Sequence, residues 1–157
     1  MPPVLRLAEP EDTRRLGAAL AAVCRPGDLV VLDGPLGAGK TVFVQGLAAG
    51  LGVRDRVTSP TFVIARVYSG GRIPLVHVDA YRLSGIDEID DLDLDASAQD
   101  SVTVVEWGSG LVEALADAHL RVELQRSAGA TADEDERQAR LVPSGGEWAE
   151  RIGLLLR

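Results

Sequence analysis

The chain contains one glycine-rich stretch whose residue types and spacing suit phosphate binding, from Gly34 to Thr41. It follows the pattern of a glycine, four residues, Gly-Lys and then Ser or Thr, which is a phosphate-binding loop. Glycines let backbone N–H groups approach phosphate oxygens, Lys40 supplies a compact positive charge, and Thr41 offers a hydroxyl to Mg²⁺. The predicted nucleotide-binding residues of the loop and the turn after it are Gly34, Leu36, Gly37, Ala38, Gly39, Lys40, Thr41 and Val42.

The segments on either side of the loop have the character that a phosphate-binding loop requires. Leu29 to Leu32 is an apolar run typical of a strand buried on both faces. Phe43, Leu47 and Leu51 recur four residues apart and predict a helix with one apolar stripe. Lys40 is the only lysine in the chain, and the other 15 basic residues of the Lys and Arg count are arginines. The order strand, loop, helix therefore supports the motif, and a chance glycine-rich turn does not explain it.

Two carboxylates are placed to complete a magnesium site, Asp79 and Glu106. Each follows an apolar run, 74–78 and 102–105, that predicts a strand. Both should lie at the carboxyl edge of the sheet, where open α/β sheets bind ligands. One would hold Mg²⁺ and the other would orient or deprotonate the attacking water. The residues alone do not rank the two for these roles, and either carboxylate could instead serve as a cap or an ion-pair partner.

Four further residues are candidates for switching or coupling. Thr61, after the stiff Ser59-Pro60 pair, could close on a γ-phosphate, or it could simply open a strand. Arg82 could stabilise transferred charge or pair with the acidic segment that follows it. Trp107 could shield the site or anchor the core, and Tyr81 lies beside Arg82.

The patterning predicts one domain over residues 1–157, with a three-layer fold like that of the P-loop NTPases. Its central sheet should be mixed but mainly parallel, because the strands at 62–68 and 73–78 are separated by a short turn and form a β-hairpin. A first helix is expected at 10–24, half-buried strands near 120–124 and 137–142, and a closing helix with an apolar face made by Trp148, Ile152, Leu155 and Leu156. Ser144 and Glu147 have the spacing of a capping box for that closing helix.

Composition excludes several classes of function. The net charge of −8 argues against unaided tight binding to a nucleic-acid backbone. Two histidines and one cysteine do not suffice for an ordinary structural zinc site, and Cys24 is expected to be buried filler. No apolar run approaches the length of a membrane span, and the first residues do not resemble a signal peptide, so we expect a cytoplasmic protein. Asparagine is absent, which removes the Asn-Lys-x-Asp guanine-reading pattern and favours ATP/ADP.

Four segments together resemble the bacterial TsaE (YjeE) family, the ATPase of tRNA threonylcarbamoyladenosine synthesis. They are the loop at 34–41, Ser59-Pro60-Thr61-Phe62, His77-Val78-Asp79-Ala80-Tyr81-Arg82-Leu83 and Val105-Glu106-Trp107. The loop is shared by many nucleotide enzymes, whereas the combination is much more specific. The resemblance covers residues 10–110 well and the C-terminal segments loosely.

The resemblance implies roles that the residues alone leave open. It implies that Thr41 and Glu106 bind Mg²⁺, which leaves Asp79 for the water or for coupling, and that adenine contacts fall at Glu11 to Thr13. It also implies an ATPase that acts with the TsaB and TsaD proteins and meets tRNA only through that complex. TsaD transfers the threonylcarbamoyl group to adenosine 37 of tRNAs that read codons starting with A, and ATP hydrolysis resets the complex.

Two other functions are compatible with a phosphate-binding loop. A small-molecule or nucleotide kinase would need an acceptor pocket and usually an arginine-rich lid, and the short chain has no insertion of that kind. A nucleotide sensor would bind ATP without turnover, and the presence of both Asp79 and Glu106 argues for hydrolysis instead.

Overall fold

A computed structural model of the protein describes residues 3–35, 38–57, 65–79, 100–106, 118–126 and 136–156. Within these ranges, seven strands and three helices follow one another along the chain. In chain order they are β1 (Val4–Leu7), α1 (Pro10–Val23), β2 (Leu29–Asp33), α2 (Lys40–Gly50), β3 (Ala65–Tyr68), β4 (Leu75–Asp79), β5 (Val102–Glu106), β6 (His119–Arg126), β7 (Arg137–Ser144) and α3 (Trp148–Leu155).

The strands form one sheet in the order β1-β7-β6-β2-β5-β4-β3. Its four central strands, β6, β2, β5 and β4, are parallel, and antiparallel strands flank them on both sides. The predicted hairpin is confirmed, since β3 pairs antiparallel with β4. The mixed α/β class with a parallel centre is therefore as the sequence predicted.

The central strands are buried on both faces, which explains their uninterrupted apolar sequences. Val30 and Leu32 of β2 join the main core beneath α1 and α2, together with Phe43 and Leu47 of α2. Val31 points to the opposite face and is equally inaccessible. The apolar stripes predicted for α1 and α2 are thus the surfaces that pack on the sheet.

Helices α1 and α2 contact each other backbone to backbone. A Cβ atom on Gly46 would lie 2.0 Å from the Arg14 carbonyl oxygen, and one on Gly17 would lie 2.2 Å from the Phe43 carbonyl oxygen. Neither position has room for a side chain, because backbone atoms cannot move aside as a flexible side chain can. This close approach holds the start of α1 beside the glycine-rich loop.

The closing helix is joined to the rest of the fold through a buried arginine. Arg151 is 5% exposed, and its two terminal nitrogens donate to the Asp28 carboxylate at 2.7 and 2.9 Å. It also donates to the carbonyl oxygens of Val23 and Gly146 and stacks on the Trp148 ring, 3.7 Å from its centroid. The guanidinium therefore ties α3 to the end of α1 and to the residue before β2.

The start of α3 differs from the sequence prediction. Ser144 is still part of β7, paired with His119, so the predicted capping box with Glu147 is wrong. Glu147 instead precedes the helix with a left-handed backbone (φ 62°), and no side chain caps it. The predicted apolar face also needs one correction, because Trp148 and Ile152 are buried but Leu156 lies past the helix end and is 40% exposed.

Cys24 is buried in the core, as predicted, and we expect its thiol to be unreactive in the folded protein. Burial, with a smaller contribution from Asp28, raises the pKa of the thiol to about 12. Because the thiolate is the nucleophile, a disulfide reagent at mildly alkaline pH should label the chain only after denaturation, to one thiol per chain. Rapid full labelling of the native protein would contradict the buried placement.

None of the helices in the described part of the chain has the length and apolar character needed to cross a membrane.

Candidate functional site

Three neighbouring strands end in carboxylates at one edge of the sheet. Asp33 is the last residue of β2, Asp79 of β4 and Glu106 of β5. In the parallel register Asp79 lies directly beside Glu106, and Glu106 lies beside Leu32 on its other side. Adjacent strands are about 5 Å apart, so Asp79 and Glu106 form a pair next to the start of the loop. Asp33 was not among the residues that the sequence pattern singled out.

The glycine-rich loop leaves this edge between β2 and α2. A Cβ atom on Gly34 would lie 2.6 Å from the Leu124 carbonyl oxygen, so the chain passes β6 too closely for a side chain. Gly39 precedes α2 with a left-handed backbone (φ 97°), a conformation that other residues adopt only with strain. Between them, the Ala38 N–H donates to the Pro35 carbonyl oxygen at 3.1 Å. These glycines are therefore required by the backbone path itself.

Thr13, one of the residues for which the family resemblance implies adenine contacts, lies against the loop. It is 1% exposed, and its methyl carbon would be 3.6 Å from a Cβ atom built on Gly39. Its placement follows from the α1–α2 contact, which brings the first turns of α1 next to the N-terminus of α2. Glu11, on the first turn of α1, is exposed and pairs with Arg14 at 2.7 Å.

Lys40 is the first residue of α2 and lies inside the loop. Only 7% of the residue is exposed, and its ammonium donates to the Gly34 carbonyl oxygen at 2.5 Å. Burial lowers the pKa of Lys40, and the nearby carboxylates of Glu106, Asp79 and Asp33 act in the opposite direction. The amine thus interacts electrostatically with all three strand-end carboxylates. A cation with carboxylates around it and backbone donors beside it is a suitable environment for a phosphate chain and its counterion.

Glu106 has a buried partner that sequence reasoning missed. Its Oε2 atom is 2.6 Å from Nε2 of His77, in the middle of β4, and the two side chains are 5% and 0% exposed. The sequence signals were a polar residue within an otherwise apolar strand, two positions before Asp79, and its place in one of the four family-like segments. That spacing places both side chains on one face of β4.

The remaining predicted residues are divided between described and undescribed parts. Thr41 and Val42 follow Lys40 in the first turn of α2, where both are half-buried. No acidic residue lies in that turn, which keeps the helix N-terminus favourable for anions. The predictions on Leu36, Gly37, Thr61, Tyr81, Arg82 and Trp107 fall outside the described residues.

The donor set at this edge fits a magnesium ion in type. Thr41 offers a hydroxyl and Glu106 a carboxylate, and Mg²⁺ prefers such oxygen ligands. Among the described residues, no group of three or more His, Cys, Asp and Glu side chains is arranged to hold a metal ion. Mg²⁺ usually takes only one or two carboxylates from a protein and completes its shell with water and substrate phosphates.

Comparison with known proteins agrees with the four-motif resemblance. The family model described as threonylcarbamoyl adenosine biosynthesis protein TsaE matches residues 7–138. The tRNA threonylcarbamoyladenosine biosynthesis protein TsaE of Streptomyces coelicolor is 58% identical over 139 residues, which cover 87% of this chain and 93% of that protein. The protein of the same name from Bacillus subtilis is 39% identical over 144 residues, covering 91% and 87%.

A solved structure shares the fold along the whole chain. The crystal structure of YdiB from Bacillus subtilis matches with a TM-score of 0.79 and 33% identity, covering 100% of this chain and 97% of that one. The matched family region contains the loop, His77, Asp79 and Glu106, so the site lies within the part of the chain that carries the likeness. The chain belongs to the TsaE family of threonylcarbamoyl adenosine biosynthesis proteins.

Proposed function

We propose that this protein is a magnesium-dependent ATPase that serves threonylcarbamoyladenosine formation on tRNA. The observation that carries the proposal is that Lys40, within a glycine-rich loop, interacts electrostatically with Asp79 and Glu106, which lie side by side at the ends of adjacent strands. Family membership supports the pathway. The negative net charge supports a component that touches partner proteins more than tRNA.

The residues of the site divide the work of binding and hydrolysis. The loop amides and Lys40 would bind the β- and γ-phosphates of ATP, since they supply donors and one compact positive charge. Thr41 and Glu106 would hold Mg²⁺, which neutralises charge that develops on the phosphates when it is bound. Asp79, beside Glu106, would orient or deprotonate the attacking water. Thr13, which packs against Gly39 of the loop, would contact the adenine.

The partners in this proposal are TsaB and TsaD, and ATP hydrolysis resets their complex between turnovers. TsaD transfers the threonylcarbamoyl group to adenosine 37, and the tRNA contacts this protein only through the complex. The work takes place in the cytoplasm. A partner-gated ATPase should be nearly inert alone, because a missing catalytic group or conformation is supplied on assembly.

The deciding experiment is ATP hydrolysis by the protein alone and with the TsaB–TsaD pair of the same organism. We expect the pair to stimulate turnover and Glu106→Gln to abolish the stimulation. The control is Glu150→Gln, the same substitution at an exposed position on α3, which should leave the stimulation intact. The Gln side chain keeps the size of Glu106 and removes its charge.

Two other outcomes would overturn the proposal in different ways. Equal turnover with and without the pair would contradict the partner-gated role, and a screen of phosphoryl acceptors would then test for a kinase. Tight ATP binding without hydrolysis under any condition would indicate a nucleotide sensor.

A further inference from the structure

We propose that His77 is the positioning residue for Glu106, holding its carboxylate in the orientation that binds the cation. The role rests on the proposed magnesium-dependent function, in which Glu106 is a metal ligand. The juxtaposition behind it is a hydrogen bond between two buried side chains on neighbouring strands, with Nε2 of His77 2.6 Å from Oε2 of Glu106.

The sheet register explains why these two side chains meet. In the parallel pairing of β4 and β5, His77 lies beside Val104 and Asp79 lies beside Glu106. Because side chains alternate between faces along a strand, His77, Asp79, Val104 and Glu106 share one face. Leu75 and Val104 belong to the core under α1 and α2, so this is the face on which the loop and Lys40 lie.

His77 is an unusual residue for its position, and it makes a polar contact with Glu106. It is 0% exposed, with Val76 and Val78 beside it in β4 and Arg66 opposite it on β3, and within the described part of the chain its Nδ1 atom has no hydrogen-bond partner. An apolar residue at this place would remove the unsatisfied Nδ1 atom, but it would also leave the buried Oε2 atom of Glu106 without its histidine partner. The site therefore keeps a buried imidazole with one unsatisfied nitrogen, and the residue that it contacts is the predicted metal ligand.

The contact can act on Glu106 in a specific way. An ionised carboxylate oxygen is an acceptor only, so Nε2 is the donor of this hydrogen bond. The bond would hold Oε2 in place and would leave Oε1 available to a cation. Without this donor, repulsion from Asp79 would favour other rotamers of the long Glu106 side chain. Residues that orient a metal ligand in this manner typically change metal affinity by about 10-fold to 100-fold when they are replaced.

The test is a magnesium titration read through nucleotide binding, with no turnover required. The protein is first saturated with a fluorescent ADP analogue in the presence of a chelator. Mg²⁺ is then added in excess of the chelator, and the Mg²⁺ concentration that gives half of the fluorescence change of the bound analogue is recorded. We expect His77→Phe, which has no donor, to weaken Mg²⁺ half-saturation by about 10-fold or more while the metal-free affinity for the analogue stays the same. We expect His77→Gln, whose amide N–H reaches a similar position to Nε2, to recover most of the loss.

The matched control is His119→Phe, since His119 is the other histidine and begins β6 away from the β4–β5 edge. If His77→Phe does not fold, His77→Asn replaces it, because that amide is polar but one methylene too short. Mg²⁺ binding like that of wild type in His77→Phe, or in His77→Asn where it replaces the Phe variant, would overturn the inference, and so would equal loss in the Gln and Phe variants. A wild-type protein whose nucleotide binding ignores Mg²⁺ would instead overturn the proposed function.

A purely structural role for His77 gives a different pattern. In that case, thermal stability and metal-free nucleotide affinity would fall together in every variant. The Mg²⁺ concentration at half-saturation, measured on the nucleotide-bound protein, would stay the same. That result would contradict positioning.

Discussion

Replacing Lys40 with methionine is expected to lower partner-stimulated ATP turnover by about a hundredfold to a thousandfold, the effect of removing one charge-stabilising donor. Methionine retains much of the length and apolar stem of lysine but has no charge. The substitution removes the ammonium that interacts electrostatically with the carboxylates of Glu106, Asp79 and Asp33. The measurement is steady-state hydrolysis, with a thermal melt to show that the variant is folded.

The companion variant Lys40→Arg separates charge from shape. Lys40 is buried between the loop backbone and the strand ends, where its ammonium donates to the Gly34 carbonyl oxygen. A guanidinium is larger and planar, so we expect Lys40→Arg to be folded and still impaired. Full turnover in Lys40→Arg would show that charge alone suffices, and full turnover in Lys40→Met would remove Lys40 from the mechanism.

The largest effect on stability is expected at the contact between α1 and α2. Gly46→Ala places a methyl group where the Arg14 carbonyl oxygen already lies, 2.0 Å from the new Cβ atom. The helices must separate, at a cost of about 3 kcal/mol of unfolding free energy, even though alanine is the better helix former. For a chain of this size the melting temperature should fall by roughly 10 °C.

The same substitution at Gly153 is the matched control. Gly153 is also inside a helix, α3, and a Cβ atom there would have nothing within 4 Å. Gly153→Ala should therefore be neutral or should raise stability by up to about 1 kcal/mol through helix propensity alone. Chemical denaturation of the two variants measures both effects, and equal stability of the pair would contradict the backbone contact between the helices.

The Gly46 result also bears on the site. The α1–α2 contact holds Thr13 against Gly39 of the loop. A variant that separates the helices without unfolding the protein should consequently weaken nucleotide binding, although Gly46 itself lies away from the loop.

Much of the site could be predicted because it is local in the chain. A phosphate-binding loop is a short run of backbone whose glycines and lysine have fixed spacing, and its strand and helix carry period-specific apolar patterns. Asp79 and Glu106 were identifiable because each ends an apolar strand, and strand ends in a parallel sheet share an edge. The β3–β4 hairpin followed in the same way from a short turn between two β-rich runs.

Other features depended on contacts that local patterns do not encode. The spacing of Ser144 and Glu147 matched a capping box, but Ser144 is paired with His119 in the sheet and is not available to begin a helix. The pattern described a local preference, and the strand ladder overrode it. Nothing in the local sequence distinguishes Gly17 and Gly46 from other helical glycines, and only the contact between the helices explains why these positions lack room for a side chain.

By itself, the sequence determined the fold class, the place of the glycine-rich loop between a strand and a helix, and the strand-end positions of Asp79 and Glu106, because each is specified by residue types at short separations. Only the tertiary structure decided how those parts meet. His77 and Glu106 are 29 residues apart, and their hydrogen bond exists because β4 and β5 pair in one register. A shift of one residue in that pairing would turn the side chains of one strand to the opposite face, and no local pattern in either strand specifies the register.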